Sequence, residues 1–483
     1  MLSSPPGMVA HSRTFRHDAV ILSAVLAIGL IVSSIATGFG PLGYLAGSKT
    51  GIALSALLIA GPFLAYAALR APLISPFVIY VLAVPFDGLM TTAAGNLTKL
   101  LALACAPVIL GVLLLRRHAE PLPKPALLFL ALLAWATTTL LWSVNISHSI
   151  ENLITLAQLM ALYFVVALYP ATGWDVRVLS FATVLGGAVA AAYATAESFS
   201  RPIQARIALG EGSHTINPDL YPVAFLVPLF IALSTALYTR NVFAKLACGS
   251  AVLLIAFGIY QSEARGALVA LGCGLLYLIW RARARIQALL IAAGAVALSF
   301  ARPEVWQRFG DPTQSNGNGR TEIWTIGLDA LRHHWLLGSG IGTFPDAYNE
   351  SILNVFVAIE RGWSRASHNL LLGISVELGL IGLILLLLAW AGHFRMLQAI
   401  PEKGAYAPIR IALEAGLIAL FVASLFVDLP ATKLLWLAFM LVCVLYQANR
   451  RASLAHSPDG STVMTSRSLW RSIRRRSAGC SPN

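Results

Sequence analysis

The chain has 483 residues, 58% of them apolar and 11% charged, with a net charge of +13 and a mean hydropathy of +0.75. Soluble domains carry about 25% charged residues, so this composition excludes a soluble globular enzyme and specifies a polytopic membrane protein; nothing in it points to nucleic-acid recognition. Four of the five cysteines (Cys105, Cys248, Cys273 and Cys443) lie in apolar segments and Cys480 lies in the tail, which leaves no pair for an outer-face disulfide or a metal cage.

Apolar runs of about 16 to 22 residues recur at 19–38, 51–69, 73–90, 98–115, 125–142, 150–169, 178–197, 219–238, 243–261, 265–280, 286–301, 368–392, 409–427 and 431–448. Each suits a hydrocarbon core of about 30 Å. The expected fold is an all-α membrane protein, a polytopic bundle of about 12–14 transmembrane helices with one large, partly helical periplasmic loop. Its organisation reads as a cytoplasmic N-terminus (1–18), transmembrane helices (19–301) with a shorter periplasmic loop at 198–218, the large loop at 302–367, C-terminal transmembrane helices (368–448) and a basic cytoplasmic tail (449–483).

Lysine and arginine mark loops that stay in the cytoplasm. With the N-terminus inside, inner connections collect Arg70, Arg116, Arg117, Lys124, Arg177, Arg240, Lys245, Arg281, Arg283, Arg285, Arg395, Lys403 and Arg410. The tail, with RSLWRSIRRR, is inside too and able to rest on anionic lipid. The long loop therefore faces outward.

Residues 198–218 read SFSRPIQARIALGEGSHTINP, with Arg201, Arg206, His214 and Asn217. The long loop holds six arginines (Arg302, Arg308, Arg320, Arg332, Arg361 and Arg365) and no lysine. Its DPTQSNGNG stretch is turn-rich. From Thr321, an apolar stripe of Ile323, Trp324, Leu328, Leu331 and Trp335 at helical spacing predicts an amphipathic surface helix, which GSGIG (Gly338, Gly340, Gly342) ends. FPDAYNESILNVFVAIERGW follows as a cover over the site. Loops of this length in compact proteins are usually functional.

Planar, permanently charged guanidiniums beside one imidazole, where a span leaves the bilayer, suit a diphosphate-bearing lipid. Arg265, in QSEARGALVALGCG, lies near the hydrocarbon and needs Glu263 or a ligand anion as compensation; a headgroup-binding arginine is the alternative. Arg320 closes the GNGR turn at a helix start, where unpaired backbone N–H groups favour a phosphate. Arg201, Arg206, Arg361 and Arg365 are weaker candidate contacts, each more readily read as a headgroup contact or a loop salt bridge. His368 opens SHNLLLGISVELGLIGL, with Ser367 available as the helix cap and Asn369 beside it. An imidazole titrates near neutral pH and can take a proton from a hydroxyl, or it can serve merely as an interfacial anchor. Glu377, about 13 Å further along an ideal helix, is expected to pair with a neighbouring helix. The adjacent His333 and His334 diverge and make a poor metal site. With no Asp-x-Asp pair in the chain, the expectation is a metal-independent reaction with no cofactor.

SEARGALVAL, NGRTEIWTIGLDALRHHWLLGSGIGTF and SHNLLLGISVELGLIGL, in this order and at these separations, resemble the O-antigen ligase and polymerase family of bacterial inner-membrane glycan transferases, over roughly residues 200 to 445. The resemblance implies a periplasmic-face glycosyltransferase that moves a glycan from an undecaprenyl-diphosphate carrier to an acceptor hydroxyl, with the lipid A core as the leading acceptor. Polymerase and protein O-oligosaccharyltransferase activities stay open, and a transporter or lipid-linked-glycan flippase is the competing class. It further implies membrane lipids as surroundings, a bacterial inner-membrane location with both termini cytoplasmic, and Arg265, Arg320 and His368 as the catalytic set. Asn217 corresponds to a family asparagine, but Asp219 stands where a second would be expected. Trp335 stands where relatives often have proline.

Overall fold

The computed structural model describes residues 75–87, 91–92, 95–116, 119–198, 219–281, 320–357, 362–428 and 432–455. The expected spans at 19–38, 51–69 and 286–301 lie outside the described residues, as do most of the shorter loop, the first part of the long loop and the end of the tail. Among the described residues, thirteen α-helices run in chain order: α1 Ser75–Ala83, α2 Leu97–Arg116, α3 Lys124–Thr138, α4 Ile146–Ala167, α5 Gly173–Ser198, α6 Leu226–Tyr238, α7 Val242–Gln261, α8 Arg265–Arg281, α9 Arg320–His334, α10 Phe344–Ser351, α11 Leu370–Gln398, α12 Ala407–Ala423 and α13 Lys433–Ala455. A two-residue antiparallel pairing, Thr91–Thr92 with Gly95–Asn96, joins α1 to α2. Six helical stretches are long and apolar enough to cross a bilayer: Lys124–Leu141, Ile146–Ala167, Gly173–Ala196, Tyr221–Tyr238, Val242–Gln261 and Leu370–Gln398. The protein is an all-α polytopic membrane protein.

Leucine- and alanine-rich runs satisfy their own backbone groups as helices, and asparagines start several of them. Asn145, Asn241 and Asn369 accept the first free N–H groups of α4, α7 and α11. Asn369 rather than Ser367 is the cap of α11, accepting from Leu371 N–H at 2.9 Å and Leu372 N–H at 3.1 Å. In the bundle α8 lies along α12, α12 along α6, and α11 along α3. Small residues allow such contacts where lipid offers no hydrophobic drive. Gly266 is the case that bears on the site, since a Cβ there would stand 2.7 Å from Cβ of Phe426.

The loop helix α9 forms where expected, but its buried stripe is Ile323, Ile326 and Ala330, set against Phe344, Ala347 and Tyr348 of α10 and Leu372 and Val376 of α11. Leu328 and Trp335, the rest of the apolar stripe expected on the membrane-surface side, are 53% and 56% exposed on the protein. At 3.6 residues per turn, position 328 is rotated about 140° from 323, so a helix wedged against two neighbours buries the 3-4-spaced set instead.

The single span expected at 368–392 is α11, interrupted at Gly379 (φ 65°, ψ −170°). The groups freed by this break are bonded by the loop after α9. Val376 C=O accepts from Ser339 N–H (2.8 Å), Glu377 C=O from Gly340 N–H (2.9 Å), and Leu380 N–H donates to Trp335 C=O (2.8 Å). Two indoles complete the set, Trp135 Nε1 donating to Leu378 C=O (2.8 Å) and Trp142 Nε1 to Gly338 C=O (3.1 Å). Non-helical backbone at membrane depth is tolerated only when satisfied in this way. Among the described residues, the neighbouring helix that Glu377 meets is α10, through backbone groups: its carboxylate accepts from Gly342 N–H at 3.0 Å and from Phe344 N–H, at the start of α10, at 3.4 Å. GSGIG breaks the helix as expected, with positive φ at Gly338, Gly340 and Gly342.

Candidate active site at the loop end of the bundle

His368 sits just before α11 in the left-handed region (φ 48°), an uncommon conformation for a residue with a Cβ. Its neighbours hold it there. Leu370 N–H donates to Ser424 C=O at the end of α12 (2.7 Å). Trp324 Nε1, on α9, donates to Ser367 C=O (3.0 Å). The buried Ser367 hydroxyl donates to Asp428 Oδ1, and His368 N–H donates to Asp428 Oδ2 at 2.9 Å. The imidazole Nδ1 stands 4.0 Å from the same Oδ2, with 30% of the His368 side chain exposed. That spacing is ion-pair range rather than a hydrogen bond.

Arg320 is the first residue of α9, and its Nη2 donates to Asp219 Oδ2 at 2.7 Å, with 19% and 24% of the two side chains exposed. Arg265 is the first residue of α8 and is half-buried, next to Gly266, which packs on Phe426 two residues before Asp428. The candidates thus stand at or just before the N-termini of α8, α9 and α11, linked through Phe426, Asp428, Ser367 and Trp324. Helix N-termini carry a partial positive charge, so the assembly is suited to an anion beside a proton acceptor.

Arg365 is exposed three residues before His368. Asn369 uses its side-chain oxygen as the α11 cap. Arg206, Asn217 and Arg361 lie outside the described residues. Among the described residues no three His, Cys, Asp or Glu side chains form a metal-ligating group. Sequence reasoning missed Asp428 and the Asp219 contact to Arg320. A signal for the first existed, because Asp428 is the lone acidic residue between Glu414 and Asp459.

Residues 250–387 match the family model described as O-antigen ligase. This segment belongs to the O-antigen ligase family. The family segment runs from within α7 to within α11 and contains Arg265, Arg320 and His368, whereas Asp219 and Asp428 lie outside it. No curated protein matches the chain.

Proposed function

We propose that this O-antigen ligase-type glycosyltransferase transfers a glycan from a polyprenyl diphosphate to an acceptor hydroxyl on the periplasmic face of the inner membrane, without a metal. What supports the reading is that Arg265, Arg320 and His368 each stand at or just before a helix start, with Arg320 on the helix whose Trp324 bonds Ser367 and with Asp428 beside the imidazole. No nucleotide sugar is available outside the cytoplasm, so the activated donor arrives on lipid. Arg265 and Arg320 hold the diphosphate by charge-assisted, fork-shaped hydrogen bonds. His368 accepts the acceptor hydroxyl's proton as its oxygen attacks the anomeric carbon from the face opposite the leaving group. The carbon–oxygen bond to phosphate breaks, its electron pair stays on the diphosphate oxygen, and the anomeric centre inverts. The arginines stabilise that growing charge, and Asp428 stabilises the imidazolium.

The test is turnover of the purified protein with a lipid-linked oligosaccharide and an acceptor. His368→Ala should lose about 10² to 10⁴ in rate while remaining folded and inserted; near-normal transfer by that variant removes the ring from the mechanism. A deletion strain separates acceptors: loss of all long-chain lipopolysaccharide bands marks a ligase, and a single capped repeat marks a polymerase.

A further inference from the structure

Arg320 is paired with a carboxylate, its Nη2 donating to Asp219 Oδ2 at 2.7 Å. Asp219 stands just ahead of the 3-10 turn Tyr221–Phe225, whose end rings meet edge to face at 4.5 Å and are both buried. The carboxylate therefore stands two residues before a buried aromatic pair. Arg320 stands at the start of α9, anchored one turn on by buried Ile323 and by the bond from Trp324 to Ser367. The flexible element between these anchors is the arginine side chain. The Nη2–Oδ2 bond engages part of a guanidinium that has five N–H donors in a planar fork. A diphosphate offers more charge and more acceptor oxygens than one carboxylate.

We propose that Asp219 is a resident competitor for the donor's diphosphate: it holds Arg320 in the substrate-free protein and releases it when the lipid diphosphate arrives, thereby setting donor affinity. This rests on Arg320 being a diphosphate ligand. An internal anion of this kind rejects weak monoanions, such as phospholipid headgroups, which surround the site in large excess. The cost is a looser grip on the true donor.

Farnesyl diphosphate serves as the probe, titrated calorimetrically into the full chain in phosphatidylcholine nanodiscs, a zwitterionic lipid that keeps anionic headgroups out of the measurement. Asp219→Asn should bind it about tenfold more tightly or better, because a full negative charge next to the bound phosphate is removed. Asp219→Ser, which makes the same charge change with a smaller side chain, should follow. Phosphatidylglycerol added to the nanodiscs should then inhibit probe binding by the variants more than by the wild type. Unchanged or weaker binding by both variants overturns the proposal and makes Asp219 a positioning residue for Arg320. Arg320→Ala separates the two levels: if it binds the probe like the wild type, the assignment of Arg320 to the diphosphate is wrong, and the competitor role falls with it.

Discussion

Asp428 links two functions at the level of single residues. Its Oδ1 takes the Ser367 hydroxyl and its Oδ2 takes the His368 N–H, so the carboxylate fixes the backbone that aims the ring. At 4.0 Å from Nδ1 it also lies close enough to stabilise positive charge on the imidazole. Asp428→Asn keeps the shape but removes the charge and turns one acceptor into a donor, and should lower the catalytic rate by about ten- to a hundredfold, the size expected for losing one interaction with a charged group, about 1.5–3 kcal/mol. Residues acting as one unit are non-additive, so the double variant with His368→Ala should be no slower than His368→Ala alone; a further multiplicative loss would mean that Asp428 acts elsewhere. Arg265→Lys is a second test at this scale. A lysine keeps the charge but not the planar fork, and losing one charge-assisted hydrogen bond, worth about 1.5–3 kcal/mol, predicts a fall in kcat/KM of about ten- to a hundredfold. Full activity would mean that generic positive charge suffices.

Between elements, the decisive joint is the one between the loop after α9 and the break in α11. Gly379 and Gly338 face each other's backbone: a Cβ on Gly379 would collide with Leu336 C=O, and one on Gly338 with Glu377 C=O. Gly379→Ala therefore combines the cost of a φ/ψ region essentially restricted to glycine, about 1–3 kcal/mol, with a backbone collision that must push the loop away. The expected outcome is a lowered Tm and loss of transfer, because the same loop leads into α10 and the half of α11 that follows His368. Wild-type values for both would show that loop and helix do not dock in this way. Each partner was visible in the sequence on its own, the loop as GSGIG with its glycines and the helix as the glutamate- and glycine-bearing span after His368. Their pairing was not, because register between a loop and a helix break is set by tertiary hydrogen bonds and not by local periodicity. The same reason explains Glu377, whose partners are backbone N–H groups that no residue pattern announces. Asn369 shows a different limit: two cap-competent residues two positions apart, Ser367 and Asn369, cannot be ranked by composition alone, and the carboxylate that engages the serine lies 61 positions away.

Across the whole molecule, α8 and α12 act as paired struts that connect the loop end to the far end of the bundle. Arg265 begins α8, and the segment after α12 carries Asp428. At the far end Tyr277 OH on α8 donates to Glu414 of α12 at 2.9 Å, Glu414 is paired within α12 with buried Arg410 at an Nε–Oε1 distance of 2.9 Å, and Arg281 at the end of α8 donates to Glu402 in the connection before α12 at 2.7 Å. Arg410, read from sequence among the loop charges that set orientation, is thus partly neutralised inside the bundle. The all-α, many-span architecture was legible because twenty-residue apolar runs have few alternatives in a bilayer. Orientation rests on the remaining arginines and lysines, and it decides whether the cationic end can meet a lipid-linked donor outside the cytoplasm. Leu353, 79% exposed after α10, lies in the connection that leads into α11, and Lys403, exposed after α11, lies in the connection that leaves it. In a background with all five cysteines replaced, Leu353→Cys should react with a membrane-impermeant maleimide in intact spheroplasts, and Lys403→Cys only after the membrane is opened. The reverse pattern would place the arginines and His368 in the cytoplasm, where the proposed donor face does not exist.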